Sequence, residues 1–137
     1  MKKIYQTIHG KKGNCLSACV ASLLDIGLEE VPVFVNGRKN DGWLKRLKAF
    51  LRARGYDLLC IDDDHCLEEI KGNVIAIGVS AKCPAHIRST PKRAEWLHAT
   101  IWKNNKIVHD PSEKNRKSDK FGFIGEPILY LVLVKKL

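Results

Sequence analysis

The spacing of apolar and polar residues changes character along the chain. From Cys15 to about Ile26 the residues are apolar almost all the way round a helix (Leu16, Ala18, Cys19, Val20, Ala21, Leu23, Leu24). A helix with so little polar surface belongs inside a protein. Leu28-Glu29-Glu30-Val31-Pro32 closes this element, because Pro32 disfavours helix for the residue before it. A polar loop from Asn36-Gly37 to Gly42 leads to a second helix from about Trp43 to Arg54. There Trp43, Leu44, Leu47, Phe50 and Leu51 share one face, while Lys45, Arg46, Lys48 and Arg52 lie elsewhere. Gly55 is its stop.

After Gly55 the pattern shortens to strand lengths. Tyr56 to Ile61, Asn73 to Ser80 and Ile128 to Val134 are apolar runs set off by turn residues, and Lys3 to Thr7 is a short extended segment. Trp96 to Trp102 and Lys106 to Asp110 form a hairpin around Asn104-Asn105. Asp62-Asp63-Asp64 caps a short helix through Ile70, the commoner use of aspartates in such a place. Ala81 to Glu95 and Pro111 to Pro127 are irregular loops. Helices first and mostly strands afterwards predict an α+β fold, with the apolar helix packed on an antiparallel sheet and one domain over residues 1–137.

Composition narrows the class. A hydrophobic fraction of 45% is ordinary for a globular chain. No apolar run approaches the roughly 20 residues of a membrane helix. The start, Met1-Lys2-Lys3-Ile4-Tyr5-Gln6, turns polar too soon for a signal peptide, so a cytoplasmic protein without a membrane partner is expected. The five cysteines are an odd number and are expected as free thiols. The net charge of +9 fits an acidic protein partner, nucleic acid or solubility alone; it is scattered, not gathered in a tail, which makes nucleic acid the less expected partner.

The candidate chemistry is that of a thiol. Asn14 is a natural N-cap, which puts Cys15 in the first turn of the apolar helix, where the dipole favours a thiolate. His98 and Asp110 can supply a base and the acid that orients it, in that order along the chain. The backbone N–H of Cys15 and the amide of Gln6 are candidate oxyanion donors. Asn14 and Trp96 are expected at the substrate, and Cys19 in the core. No cofactor is required. The rival is a metal site drawn from Cys60, His65, Cys66, Cys83 and His86. Cys83-Pro84-Ala85-His86 has a zinc-like gap, but the other spacings fit no standard framework, so no metal is expected.

The hairpin makes a sharper demand. With a two-residue turn and regular pairing, Asp110 falls opposite Ala99 and points away from His98. If the loop is three residues, or the ladder carries a bulge, Asp110 falls opposite Thr100 and shares a face with His98. The two are then diagonal neighbours, roughly 7–8 Å apart between backbones. A bulge or an odd-length loop is therefore expected. His109 faces the other way and stays outside the triad.

These residues resemble a family. Gln6, the Gly13-Asn14-Cys15 turn into the apolar helix, Leu28 to Pro32, His98 opening a strand and His109-Asp110-Pro111 resemble the papain-like cysteine peptidases. The resemblance is greatest to the compact branch that includes bacteriocin-leader peptidases, and the chain is also similar to small papain-like proteins encoded in bacteriophages. It implies a papain-like fold with Cys15 as nucleophile, His98 as base, Asp110 as orienting acid and Gln6 as oxyanion donor. Gln6 lies further ahead of the cysteine than usual, and Leu16 stands where the family has glycine. The implied function is a hydrolase (peptidase, isopeptidase or amidase) working through a Cys15 thioester on a peptide or protein. The alternative is a non-enzymatic or acyl-transferring protein of this fold that binds an acidic protein or nucleic acid, and, if phage-encoded, is directed at a host factor in the host cytoplasm.

Overall fold

A computed structural model describes residues 1–9, 13–35, 42–62, 67, 69–112 and 123–137. Helix α1 spans Cys15–Leu24 and α2 spans Trp43–Ala53, with a 3-10 turn at Leu28–Glu30 between them. The strands are β1 (Tyr56–Ile61), β2 (Val74–Val79), β3 (Leu97–Lys103), β4 (Lys106–His109) and β5 (Leu129–Lys135). They form one sheet in the order β1-β5-β2-β3-β4, antiparallel at each pairing.

Helix α1 behaves as its pattern requires, with every residue from Leu16 to Ser22 buried. Its hydroxyls find partners inside: Ser17 donates to the Pro32 carbonyl at 2.6 Å and Ser22 to that of Ala18 at 2.8 Å. It ends earlier than expected, at Leu24, because Asp25 adopts the left-handed conformation (φ 54°). The Asp25 N–H then closes onto the carbonyls of Ala21 and Ser22, a common helix ending. Helix α1 packs on β3 and α2 on β1.

The central strand β2 is buried on both faces, which explains why Val74 to Gly78 reads as a continuous apolar run without alternation. On one face Ile75 and Ile77 join Ala99, Ile101 and Leu131 against Leu16, Cys19 and Val20 of α1 and Leu47 and Leu51 of α2. On the other, Val74 and Ala76 pack with Trp102, Phe123 and Tyr130. Among the described residues, no helix is long and apolar enough to cross a membrane.

Two expectations shift, and a third falls outside the described residues. The strand that carries His98 begins at Leu97, because Trp96 ends a 3-10 helix over Pro91–Trp96. Asn14 occupies the N-cap position of α1, but its side chain makes no capping bond. It turns back instead, accepting the N–H groups of Thr7 (3.0 Å) and Ile8 (2.9 Å) on Oδ1 and donating to Thr7 Oγ1 at 2.9 Å. Finally, Asp63, Asp64, His65 and Cys66 of the short helix expected through Ile70 lie outside the described residues, as do the loop residues 36–41 and the basic run from Lys114 to Lys120.

Candidate active site

The β3–β4 hairpin settles which way Asp110 points. Its turn is the two residues Asn104 and Asn105, both at positive φ (53° and 61°), the geometry whose twist matches the flanking strands. The pairing then slips: Trp102 lies opposite Ile107, but Ile101 lies opposite His109. Val108 is the extra residue of a β-bulge. The expected bulge is present, and it restores the face that a regular ladder would have lost. His109 follows Ile101 to the helix side of the sheet, and Asp110 turns to the side of His98.

There His98 Nε2 lies 2.8 Å from Asp110 Oδ1, with both residues buried. The same carboxylate oxygen accepts the Ser112 N–H at 2.9 Å and the Ser112 hydroxyl at 2.7 Å. Asp110 thus starts a turn and orients an imidazole with one oxygen. A carboxylate only accepts, so Nε2 carries the proton and Nδ1 is left for the thiol.

Cys15 is partly buried at the start of α1. Burial by itself raises a thiol. The hydrogen bond and positive charge of His98, joined by backbone bonds from Ala99 and Leu16, outweigh it and hold Cys15 below its ordinary value. Cys19, one turn deeper, has no such help: burial pushes it well up, and charge on Cys15 adds to that. Asn14 does not cap the helix, which leaves the Ser17 N–H without that bond, and the Cys15 N–H has no backbone partner among the described residues. They remain available at the positive end of the dipole.

Phe123 covers the imidazole. Its ring meets His98 edge-on at 6.3 Å and stacks on Trp102 at 6.4 Å. Gly78, paired with His98 across the strands, leaves room for it, since a Cβ there would sit 2.7 Å from Phe123 Cγ. Gly78→Ala is expected to force the ring aside, destabilising the fold by about 1–3 kcal/mol in urea unfolding. It should also expose the His98–Asp110 bond to water. Full stability in that variant would remove Phe123 from this role.

The thiol opens on a small apolar cleft with a cavity volume of about 50 Å³, lined by Leu16, Val35, Trp43, Ile77, Leu97 and Ala99, with His98 and Glu95 as its charged or polar edge. Leu16 therefore shapes the cleft. The remaining expected residues sit elsewhere. Asn14 and Trp96 are not among the lining residues, Asn14 because it is buried with its side chain spent on Thr7 and Ile8. Gln6 lies ahead of α1, its Nε2 on the Ile8 carbonyl at 3.0 Å and 3.2 Å from His9 Nδ1. Nothing in the sequence singled out Ser112, Phe123 or Val35. A phenylalanine between Gly122 and Gly125 in a loop read as polar is the one available signal for Phe123. For the metal rival, the described residues hold no group of three metal-ligating side chains, while His65 and Cys66 lie outside them.

No family model and no curated protein matches the sequence. Among solved structures, the chain is similar to the peptidase domain of Streptococcus ComA, a bifunctional ABC transporter involved in a quorum sensing pathway. The TM-score is 0.58 at 14% sequence identity, covering 99% of this chain and 100% of that one. At that identity the likeness concerns the fold. An apolar helix followed by an antiparallel sheet, superposable on a peptidase domain, makes this an α+β chain of papain-like peptidase fold.

Proposed function

We propose that the protein is a papain-like cysteine hydrolase that cleaves an amide, isopeptide or related acyl bond in a peptide or protein. The observation that carries this reading is the buried hydrogen bond from His98 to Asp110, with Cys15 and His98 together at the edge of one apolar cleft. The likeness to a peptidase domain supports it.

In this reading the Cys15 thiolate attacks the carbonyl carbon, and the charge that develops on oxygen is met by the Cys15 N–H and, after it exchanges partners, the Gln6 amide. The His98 imidazolium then gives its proton to the departing amine, leaving a thioester on Cys15. A water molecule attacks the thioester while His98 takes its proton, and the acid leaves as the thiol returns to thiolate. Asp110 holds the imidazole in one tautomer throughout. Transfer to an amine instead of water uses the same thioester.

The test needs no substrate. Iodoacetamide should label Cys15 with an inflection below the ordinary thiol value near ~8.5, because the thiolate persists to lower pH. Exposed Cys60 provides an internal reference. His98→Ala removes the bond and charge that lower Cys15, so burial then dominates and the inflection moves up. Equal profiles for Cys15 with and without His98 would defeat the reading.

A further inference from the structure

The segment ahead of α1 is bonded on two sides by groups that this chemistry does not use. Helix α1 and its flanks hold one side: Ile4 N–H donates to Ser22 Oγ at 2.9 Å, Lys2 N–H to Asp25 Oδ1 at 2.8 Å, and Thr7 and Ile8 N–H to Asn14 Oδ1. The end of β4 holds the other. His109 Nε2 lies 2.6 Å from the Ile4 carbonyl, and Gln6 N–H donates to the Pro111 carbonyl at 2.9 Å. The Tyr5 ring stands edge-on to His109 at 5.0 Å. The residues on either side of Asp110 thus bond a stretch that is also bonded by the residue next to Cys15.

Among the described residues, strand β4 is the edge of the sheet and pairs only with β3, and it is bulged just before His109. An edge strand beyond a bulge has lost part of its ladder, so its end needs another anchor. The N-terminal segment reaches that end through the Ile4 carbonyl on His109 and the Gln6 N–H on the Pro111 carbonyl. A carbonyl only accepts, so His109 bonds Ile4 as an N–H donor.

We propose that His109 is a positioning residue: by gripping Ile4 it makes the N-terminal segment a strap that holds the strand bearing Asp110 against the helix bearing Cys15. Freed from the strap, the end of β4 drifts, Asp110 holds the imidazole less well, and His98 lowers the thiol less. Burial lowers the His109 imidazole below its ordinary value, with the Ile4 carbonyl opposing and Lys3 reinforcing that effect. The role rests on the proposed site, so the test reads each separately.

Three variants of the whole chain decide it: His109→Leu removes the donor, His109→Gln keeps an N–H at similar reach, and Ser22→Ala releases the strap from α1. Two readouts apply to folded protein, checked by circular dichroism. One is iodoacetamide labelling of Cys15 against pH, with Cys60 as reference; the other is hydrogen exchange of the downfield His98 N–H proton that bonds Asp110. In His109→Leu, labelling near neutral pH should fall roughly five- to tenfold with its inflection moved up, and the His98 proton should exchange faster. His109→Gln should stay within about twofold of the parent, and Ser22→Ala combined with His109→Leu should add little, since both cut one strap. Parent-like labelling and exchange in His109→Leu, or equal losses in Leu and Gln, would overturn the proposal. Should His109→Leu not fold, Ser22→Ala carries the same comparison. If the parent's Cys15 reacts like Cys60, the thiol reading fails, and the His98 proton still decides the strap.

Discussion

Cys15→Ala is expected to reduce kcat on the order of 10⁵-fold or more, to the background set by binding and oxyanion donors alone. His98→Ala should cost nearly as much, and the double variant no more than either single one. The reason lies in the coupling between the two side chains. Cys15 is lowered chiefly by the bond and positive charge of His98, with smaller help from the backbone of Ala99 and Leu16, against the pull of burial. Without the imidazole the sulfur is a buried thiol, much as Cys19 is. The measurement is turnover of an acyl substrate found by screening peptide and amide libraries, with mass spectrometry to detect the Cys15 thioester. Additive losses in the double variant would mean that sulfur and imidazole do not act together.

Asp110→Ala should cost on the order of 10³–10⁴ in kcat, with KM little changed, because it frees the tautomer of His98 without touching the cleft. Asp110→Asn should fall between, since its carbonyl oxygen can still accept from Nε2 and from Ser112 but brings no charge to the imidazolium. The hairpin supplies an unusual companion test. Val108 is the extra residue, and its neighbours Ile107 and His109 already face adjacent residues of β3, Trp102 and Ile101. Deleting Val108 therefore leaves a regular ladder with Asp110 still on the face of His98. That deletion should retain far more turnover than Asp110→Ala, despite losing a partly buried side chain. Loss equal to that of Asp110→Ala would show that the bulge itself, and not the face it selects, orients the acid.

Both helices and the run of strands could be read from period alone, since α1 is apolar throughout, α2 is two-faced and β2 is unbroken. The need for a bulge was also legible, because side chains alternate along a strand and Asp110 had to reach the face of His98. What could not be read were choices between equally good partners. Asn14 could cap α1 or satisfy the backbone of Thr7 and Ile8; residue type alone does not rank a local donor against one brought by the preceding loop. Phe123 belongs to an irregular stretch between Gly122 and Gly125, and the room for its ring is left by Gly78, in a strand distant in sequence. Trp96 reads as a cleft residue beside His98, but it ends the 3-10 helix that precedes β3 and is not among the residues that line the cleft.

The unused cap of α1 has a consequence for how the molecule stores stability. Leaving a helix start without its side-chain cap costs typically ~1 kcal/mol. Here Asn14 stands in the right place and bonds elsewhere, so that cost is carried by the resting protein. An oxyanion formed at Cys15 would accept the waiting N–H groups and lie at the positive end of the dipole. On the proposed chemistry, then, the helix is completed by its own reaction intermediate: the substrate is the missing N-cap, and only at the moment when charge has moved onto its oxygen.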